Sequence, residues 1–295
     1  MNKKLLKVGI LLCMTLIFLG MSRNQQAQAS AIDVAVAKIN GESYSSLKKA
    51  VEAVREGEII QLMTGITLEG TVTIEKINNL TLDLNGCKLD GGSNCAIDYK
   101  GAGTLTITDG SDSKNGLVTS CYLGSWGTIK ISKGNLILAG GVVENTHTGE
   151  GAEHAYAIYV NGTSLSITGG MVTSNERAIY STGLISVRGG TVQSKKEAIF
   201  NYGSKGVVVE GGTVKSTSHN AISNYASGSV KVTGGTVESG VGSAIFNVSS
   251  ASVNISGGTV KGKLREIYNH LNGKISISGE AELTSDDATT GTIYL

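Results

Sequence analysis

Two short phrases recur through most of this chain at a nearly constant interval. Paired glycines stand at 169–170, 189–190, 211–212, 234–235 and 257–258, spaced 20, 22, 23 and 23 residues apart, after an earlier pair at 140–141. An Ala-Ile phrase follows each pair, except that Glu266-Ile267 follows the last one. A period this regular is typical of repeat architectures, in which each unit buries its apolar side chains against the next unit.

Each repeat unit contains three short strands, separated by the Gly-Gly turn and by longer turns. This is too little chain for a propeller blade, and the leucine-rich repeat pattern is absent. The unit fits one coil of a right-handed parallel β-helix, in which each strand pairs with its counterpart one coil away, about 4.8 Å along the axis. The chain contains no proline, which agrees with continuous backbone ladders because proline cannot donate to them. The predicted fold class is all-β, a right-handed parallel β-helix with coils of about 22 residues.

Equivalent positions in the third strand of each coil predict which side chains face the core. Strand alternation places the isoleucine inward, with the alanine before it and the aromatic residue after it outward. Cys121 is assigned to the isoleucine position in its coil. The next inward position predicts a ladder of stacked side-chain amides from Asn201, Asn224, Asn247 and Asn269. A second inward column is predicted in the strand after the Gly-Gly turn, formed by Val172, Val192, Val214, Val237 and Val260.

The first 29 residues have the pattern of a secretion signal. Three lysines precede the apolar run at 8–20, and Ala27-Gln28-Ala29 is a small-residue cleavage site, so the mature chain is expected to begin at Ser30. The apolar run is too short for a stable membrane anchor, and no transmembrane segment is expected after cleavage. The sequence therefore predicts a secreted, extracellular protein.

Residues 30–295 are predicted to form a single β-helix domain. Residues 30–75 form an N-terminal cap and the first strands, residues 76–279 form the coils, and residues 280–295 form a C-terminal cap. The cap contains an amphipathic helix, since Leu47, Ala50, Val51 and Val54 recur at helical spacing, with Ser45 or Ser46 as its N-cap.

The segment VAKINGESYSSLKKAVEAVREGEIIQLMTGITLEGTVTIEKINNLTLDLNGCKL, followed by the Gly-Gly and Ala-Ile phrases, resembles the pectate-lyase-like right-handed β-helix proteins that Gram-positive bacteria export. The resemblance covers nearly all of the mature chain. It implies the fold and an extracellular location, and it implies no single activity, because that superfamily includes lyases, hydrolases and adhesins.

Charge and cysteine content exclude several functions. The formal net charge is +1, so the broad basic surface that nucleic-acid binding needs is not expected. Three cysteines remain after the signal, Cys87, Cys95 and Cys121, which permits at most one internal disulfide and assigns none.

No catalytic residue, cofactor or metal is predicted. The aspartate-histidine motif of pectate lyases and the clustered aspartates of polygalacturonases are both absent from the sequence. A local basic cluster over two coils, interpreted as a solvated charged face, is formed by Arg177, Arg188, Lys195 and Lys196.

One coil is longer than the others, and its extra residues fall at 146–157. His147, Glu150, Glu153 and His154 lie in this loop, where they could bind a divalent ion or act as acid and base. Long loops on rigid scaffolds often carry function. The favoured interpretation is nevertheless an ordinary surface loop, because the segment is glycine-rich and its side chains have no fixed spacing.

Aromatic residues form one outward column, made of Tyr159, Tyr180, Phe200, Phe246 and Tyr268 and interrupted by Ser223. Such a column could stack on sugar rings or contact a protein partner. Alternatively, the rings stack on one another and cover the sheet, which is the favoured reading. The function expected is a non-catalytic cell-surface or extracellular binding protein that recognises a polysaccharide or another host or bacterial surface component. A polysaccharide lyase or glycoside hydrolase and a structural spacer are the alternatives.

Overall fold

The structure is a computed structural model that describes residues 34–149, 151, 154–285 and 293–294. The predicted signal segment lies outside the described residues. From Ala35 onward, the described residues belong to one compact unit. Within the described part of the chain, no helix has the length and apolar character needed to cross a bilayer.

Two antiparallel strands and one helix precede the first coil. Strand β1 (Ala37–Ile39) pairs with β2 (Glu42–Tyr44) and, on its other side, with the first coil. Helix α1 (Leu47–Ala53) begins at its N-cap Ser46, whose hydroxyl accepts a hydrogen bond from the Lys49 backbone N–H at 3.1 Å. The predicted cap helix is therefore confirmed, and it buries Leu47 and Ala50.

Three parallel ladders of strands, here called sheets 1, 2 and 3, make up about ten coils. Sheet 1 contains β3 (Ile59–Leu62), β6 (Asn79–Asp83), β9 (Thr104–Thr108), β12 (Asn135–Leu138), β15 (Ser164–Ile167), β18 (Leu184–Val187) and β21 (Val207–Val209). Sheet 2 contains β4 (Ile66–Thr67), β7 (Lys88–Asp90), β10 (Leu117–Ser120), β13 (Val142–Asn145), β16 (Met171–Ser174), β19 (Thr191–Ser194) and β22 (Thr213–Ser216).

Sheets 1 and 2 join in the last coils, where one long strand runs through both ladders. These strands are β24 (Val230–Ser239), β26 (Val253–Gly262) and β28 (Ile275–Ser285). Sheet 3 contains β5 (Val72–Ile74), β8 (Ile97–Tyr99), β11 (Ile129–Ile131), β14 (Tyr156–Val160), β17 (Arg177–Ser181), β20 (Ile199–Asn201), β23 (Ile222–Asn224), β25 (Ser243–Asn247), β27 (Arg265–Asn269) and β29 (Ile293–Tyr294). The predicted solenoid of stacked parallel coils is confirmed.

The predicted inward columns form the core. The isoleucines of sheet 3 from β8 to β27 are fully buried, and so are the five predicted valines of sheet 2. Each column is in register from coil to coil, for example Ile179 with Ile199 and Val192 with Val214. On the outer side of this strand, the Lys215 ammonium lies 3.1 Å from the Glu238 carboxylate on the next coil.

The assignment of Cys121 to the isoleucine column is wrong. Ile129 occupies that position, in register with Ile97 below and Ile158 above, whereas Cys121 is exposed. The cause is an inserted loop between β10 and β11, which delays the third strand of this coil by several residues.

The alanine column was predicted to face outward, but these alanines are fully buried. Larger side chains cross over them. Arg177 is the first residue of β17, and its guanidinium lies 5.1 Å from the ring of Phe200 on the next strand. The Arg177 side chain therefore spans the row that holds Ala178 and Ala198. A methyl group fits beneath such a crossing, which explains why small residues dominate this column.

The two glycines of each pair are required for different reasons. The second adopts a positive φ, for example 68° at Gly170, which favours glycine. The first lies against the preceding coil, and a Cβ at Gly169 would lie 2.4 Å from the carbonyl oxygen of Ala139. The Gly-Gly turn therefore permits both the bend and the close stacking of coils.

The predicted asparagine ladder is confirmed. Amide Nδ2 groups donate to the Oδ1 atom of the next rung, at 2.6 Å from Asn201 to Asn224, 2.8 Å from Asn224 to Asn247 and 2.8 Å from Asn247 to Asn269. The same side chains close the following turns, as the bond from Asn224 to the Gly228 carbonyl at 2.9 Å illustrates. All four are buried, so each amide satisfies its neighbours where water is excluded.

Replacing Asn224 with alanine is expected to reduce the free energy of unfolding by about 3 kcal/mol. The change removes its bonds to Asn247 and Gly228, and it takes from the buried Asn201 amide one of its two acceptors. Chemical denaturation monitored by circular dichroism would measure this loss. The matched control is Asn161→Ala at an exposed position, where the change should stay within about 0.5 kcal/mol. Equal effects of the two substitutions would contradict the role assigned to the ladder.

Candidate functional site

The aromatic residues predicted from the sequence share one position along sheet 3. Tyr159, Tyr180 and Phe200 are in register on β14, β17 and β20, and Phe246 is in register with Tyr268 on β25 and β27. Between these groups the position is held by Ser223, which is fully buried. All five predicted aromatic residues are partly exposed.

These rings stack on one another along the solenoid axis. The ring centroids of Tyr159 and Tyr180 are 5.0 Å apart with planes 3° apart, and those of Phe246 and Tyr268 are 4.8 Å apart. Ser223 has no ring, but Tyr225, which directly follows β23, supplies one at this point. The centroid of the Tyr225 ring lies 4.8 Å from that of Phe200 and 6.2 Å from that of Phe246. The result is a continuous series of ring contacts, here called the aromatic ladder. It consists of Tyr156, Tyr159, Tyr180, Phe200, Tyr202, Tyr225, Phe246, Tyr268, His270 and Tyr294.

Stacking determines which part of each ring a ligand can reach. Within the ladder most ring faces are covered by neighbouring rings, so edges and phenol hydroxyls remain for a ligand. The most accessible tyrosines are Tyr202, Tyr225 and Tyr294, which are 55%, 41% and 46% exposed. Tyr294 and Tyr156 were missed as members of the column. The sequence contained a signal for Tyr294, because Ile293-Tyr294 repeats the Ile267-Tyr268 phrase one coil earlier.

The outer surface of sheet 3 changes character along the solenoid. In the early coils, Lys130 occupies the position in register with Tyr159, and Asp98 occupies the same position on the preceding coil. The Lys130 ammonium lies 3.9 Å from the Asp98 carboxylate and 3.8 Å from the ring centroid of Trp126. Ionic contacts therefore cover the first rungs of this face, and aromatic contacts cover the later ones.

The basic cluster predicted on two coils is largely neutralised by acidic partners. Arg177 and Glu197 are 2.8 Å apart, Lys196 and Glu176 are 2.6 Å apart, and a third bridge, at 2.6 Å, joins Arg188 to Glu210. In each pair the partners come from neighbouring coils. The cluster thus ties coils together, and this leaves little cationic charge for binding the carboxylate of a uronate.

The long loop contributes less than its composition suggests. Within the described residues, the His147 Nδ1 atom lies 3.2 Å from the Cys121 carbonyl oxygen, while its buried Nε2 atom has no hydrogen-bond partner there. His154 is also described, whereas Glu150 and Glu153 lie outside the described residues. No group of three or more histidine, cysteine, aspartate or glutamate side chains that could hold a metal ion occurs in the described ranges.

Two further features lie apart from the aromatic ladder. A groove of about 820 Å³ lies between α1 and strands β4 and β5, lined by residues such as Leu47, Glu52 and Thr71.

Cys87, Cys95 and Cys121 are free thiols. Burial, together with the nearby Asp98, raises the pKa of the Cys95 thiol to about 12, so this sulfur remains protonated and unreactive.

Glu266 stands out among the carboxylates. It replaces alanine in the buried column of sheet 3, its side chain is fully buried, and neither carboxyl oxygen has a hydrogen-bond partner in the described part of the chain. Burial raises its pKa above the usual value.

Comparisons with known proteins identify no relative. No protein family, curated protein or solved structure matches the chain. The site is therefore interpreted from its own geometry. That geometry offers a row of ring edges and phenol hydroxyls on consecutive strands of sheet 3.

Replacing Glu266 with alanine is expected to stabilise the protein at neutral pH by about 1–3 kcal/mol, because a buried carboxylate without partners is removed. Because the pKa of Glu266 is raised in the folded state, its contribution to the free energy of unfolding is most favourable below the usual glutamate pKa of about 4.3. The contribution becomes less favourable as pH rises toward the folded-state pKa. The part of the gain that comes from ionisation should therefore be lost as pH falls below about 4. Urea denaturation of both proteins between pH 3 and pH 8 would measure it, and parallel pH profiles would contradict the assignment.

Proposed function

We propose that this chain is a non-catalytic, exported binding protein whose ligand lies along the aromatic ladder of sheet 3. The observation that carries the proposal is the unbroken series of ring contacts from Tyr156 to Tyr294, with exposed tyrosines beside it. A solenoid holds these side chains on consecutive strands, so a ligand meets a pre-organised surface and little ordering is needed on binding.

An extended polysaccharide is the ligand class that fits this surface. Sugars are rich in hydroxyls, and the phenol hydroxyls of Tyr202 and Tyr225 can donate and accept hydrogen bonds at the ring edges. The exposed part of the Tyr294 ring adds apolar contact with sugar rings. A chain of sugars running across several coils would contact the same kind of side chain on each rung.

Catalysis is the weaker candidate. The residues that a lyase would use to hold a uronate are engaged in ion pairs between coils, as in Arg177 with Glu197 and Lys196 with Glu176. A structural spacer is favoured by one observation, since stacked rings stabilise adjacent coils whether or not a ligand binds. Export, origin in a Gram-positive bacterium and kinship with pectate-lyase-like proteins remain part of the proposal and rest on the sequence patterns alone.

A glycan array followed by titration calorimetry tests the proposal. The wild-type protein is expected to bind at least one extended glycan, and Tyr202→Ala and Tyr225→Ala are each expected to weaken binding about threefold to tenfold, since an aromatic contact contributes roughly 0.5–1.5 kcal/mol. These positions are preferred to Tyr180 and Phe200 because their rings are more exposed to a ligand.

Two further variants sharpen the result. Tyr202→Phe keeps the ring and removes the hydroxyl, so a loss of affinity equal to that of Tyr202→Ala assigns the contact to the hydroxyl. Lys231→Ala changes an exposed residue on the outer face of sheet 1 and should leave affinity unchanged. No bound glycan, or equal losses for Tyr202→Ala and Lys231→Ala, would contradict the proposal. Release of unsaturated sugars from uronate polymers would favour the lyase instead.

A further inference from the structure

Tyr202 and Tyr225 form a pair of exposed phenols on neighbouring coils. Each follows an asparagine of the buried ladder, and the pairing of Asn201 with Asn224 places the two tyrosines on adjacent rungs. Their ring centroids are 6.2 Å apart and their planes differ by 21°. The two residues are 55% and 41% exposed, so an oxidant in solution can reach both rings.

We propose that Tyr202 and Tyr225 are a site of oxidative cross-linking, at which a peroxidase-type haem oxidant and hydrogen peroxide join the two rings in a dityrosine. This modification goes beyond ligand binding and does not depend on it. It would connect two successive coils covalently on the exposed face of sheet 3.

The chemistry needs one electron and one proton from each phenol. Each tyrosine loses both to the haem oxidant and becomes a phenoxyl radical. The two radicals form a carbon–carbon bond between ring carbons next to the hydroxyl-bearing carbons, and the hydrogens on those carbons move to the oxygens, which restores both phenols. Hydrogen peroxide accepts the two electrons and two protons and is reduced to two molecules of water.

Exposure selects this pair over the other tyrosines. Coupling requires two ring edges to approach, so rings that lie face to face must first rotate. Tyr159 and Tyr180 are held face to face, with planes 3° apart, and Tyr156 packs against Tyr180 at 5.3 Å. Tyr268 and Tyr294 are also nearly parallel, at 6°, and the Arg265 guanidinium lies over both rings. Tyr202 and Tyr225 also stack on Phe200, at 6.1 Å and 4.8 Å, but they are the two neighbouring tyrosines with the most exposed rings, so an oxidant reaches both ring edges.

A link at this position would act on the same coils as the asparagine ladder. Asn201 and Asn224, which immediately precede the two tyrosines, are 23 residues apart in sequence. Closing a loop of one coil removes conformational freedom from the unfolded chain. The modified protein should therefore resist unfolding of these two coils, in the middle of the aromatic ladder, more than the unmodified protein does.

Peroxidase treatment of the purified protein followed by trypsin digestion tests the proposal. Residues 197–205 and 216–231 form separate tryptic peptides, each with a single tyrosine. The expected product is these two peptides joined, with a mass equal to their sum less two hydrogen atoms, together with dityrosine fluorescence. Its yield should not change on dilution, because the two rings belong to one molecule.

Conservative variants provide the controls, since phenylalanine keeps the ring and its packing. Tyr202→Phe and Tyr225→Phe should each abolish the joined peptide, whereas Tyr159→Phe should leave its yield at the wild-type level. The proposal is overturned if the two peptides are never joined, if the fluorescence is unchanged in Tyr202→Phe, or if the yield falls in proportion to protein concentration.

Discussion

Parallel pairing of each coil with the next is the interaction on which the rest of this structure depends. A strand in the middle of the solenoid has its backbone groups bonded to the coils on both sides, so it tolerates neither a slip nor a missing donor. Every side chain is thereby placed directly above an equivalent one. Burial selects isoleucine or valine in the inward columns, and close approach of backbones selects glycine at the turn, as at Gly169 against Ala139.

The register between successive coils also explains why like residues form ladders on both surfaces of sheet 3. Inside, asparagine amides donate to and accept from the next rung, which satisfies polar groups that water cannot reach. Outside, the same spacing brings aromatic rings to stacking distance, as for Tyr159 and Tyr180. The first ladder has a structural role only. The second stabilises the coils and also leaves phenol edges exposed, and these edges are the basis of the proposed binding and cross-linking functions.

The two ends of the solenoid are treated differently. At the N-terminal end, β1 covers the open edge of β3, and α1 packs near the first strands of the other sheets. This arrangement prevents the first strand of sheet 1 from pairing with another chain. At the other end, Glu280–Ser285, where a cap was predicted, continue strand β28 and add a further rung to sheet 2.

Repetition made the fold and the core predictable from the sequence, because each column appears several times and its polar or apolar character can be compared. Features that occur once were harder to predict. Ile129 was displaced by an inserted loop, and no neighbouring repeat revealed the length of that loop.

Contacts between side chains of neighbouring coils were also missed. Arg177 was assigned to a solvated cluster, although Glu197 lies one coil later and pairs with it at 2.8 Å. The stacking of rings was one of two predicted alternatives, and only coordinates supply the ring orientations.

Distance measurement between paired spin labels on the outer column of sheet 2 tests the stacked-coil account most directly. Glu144 and Lys261 belong to this column and are separated by five rungs of the ladder. With one label fixed at 144, the account predicts a separation of about 24 Å to 261 and a decrease of about 4.8 Å for each rung when the second label moves to 238 and then to 215. Distances that do not fall in equal steps would contradict the stacking of coils, and with it the placement of both ladders.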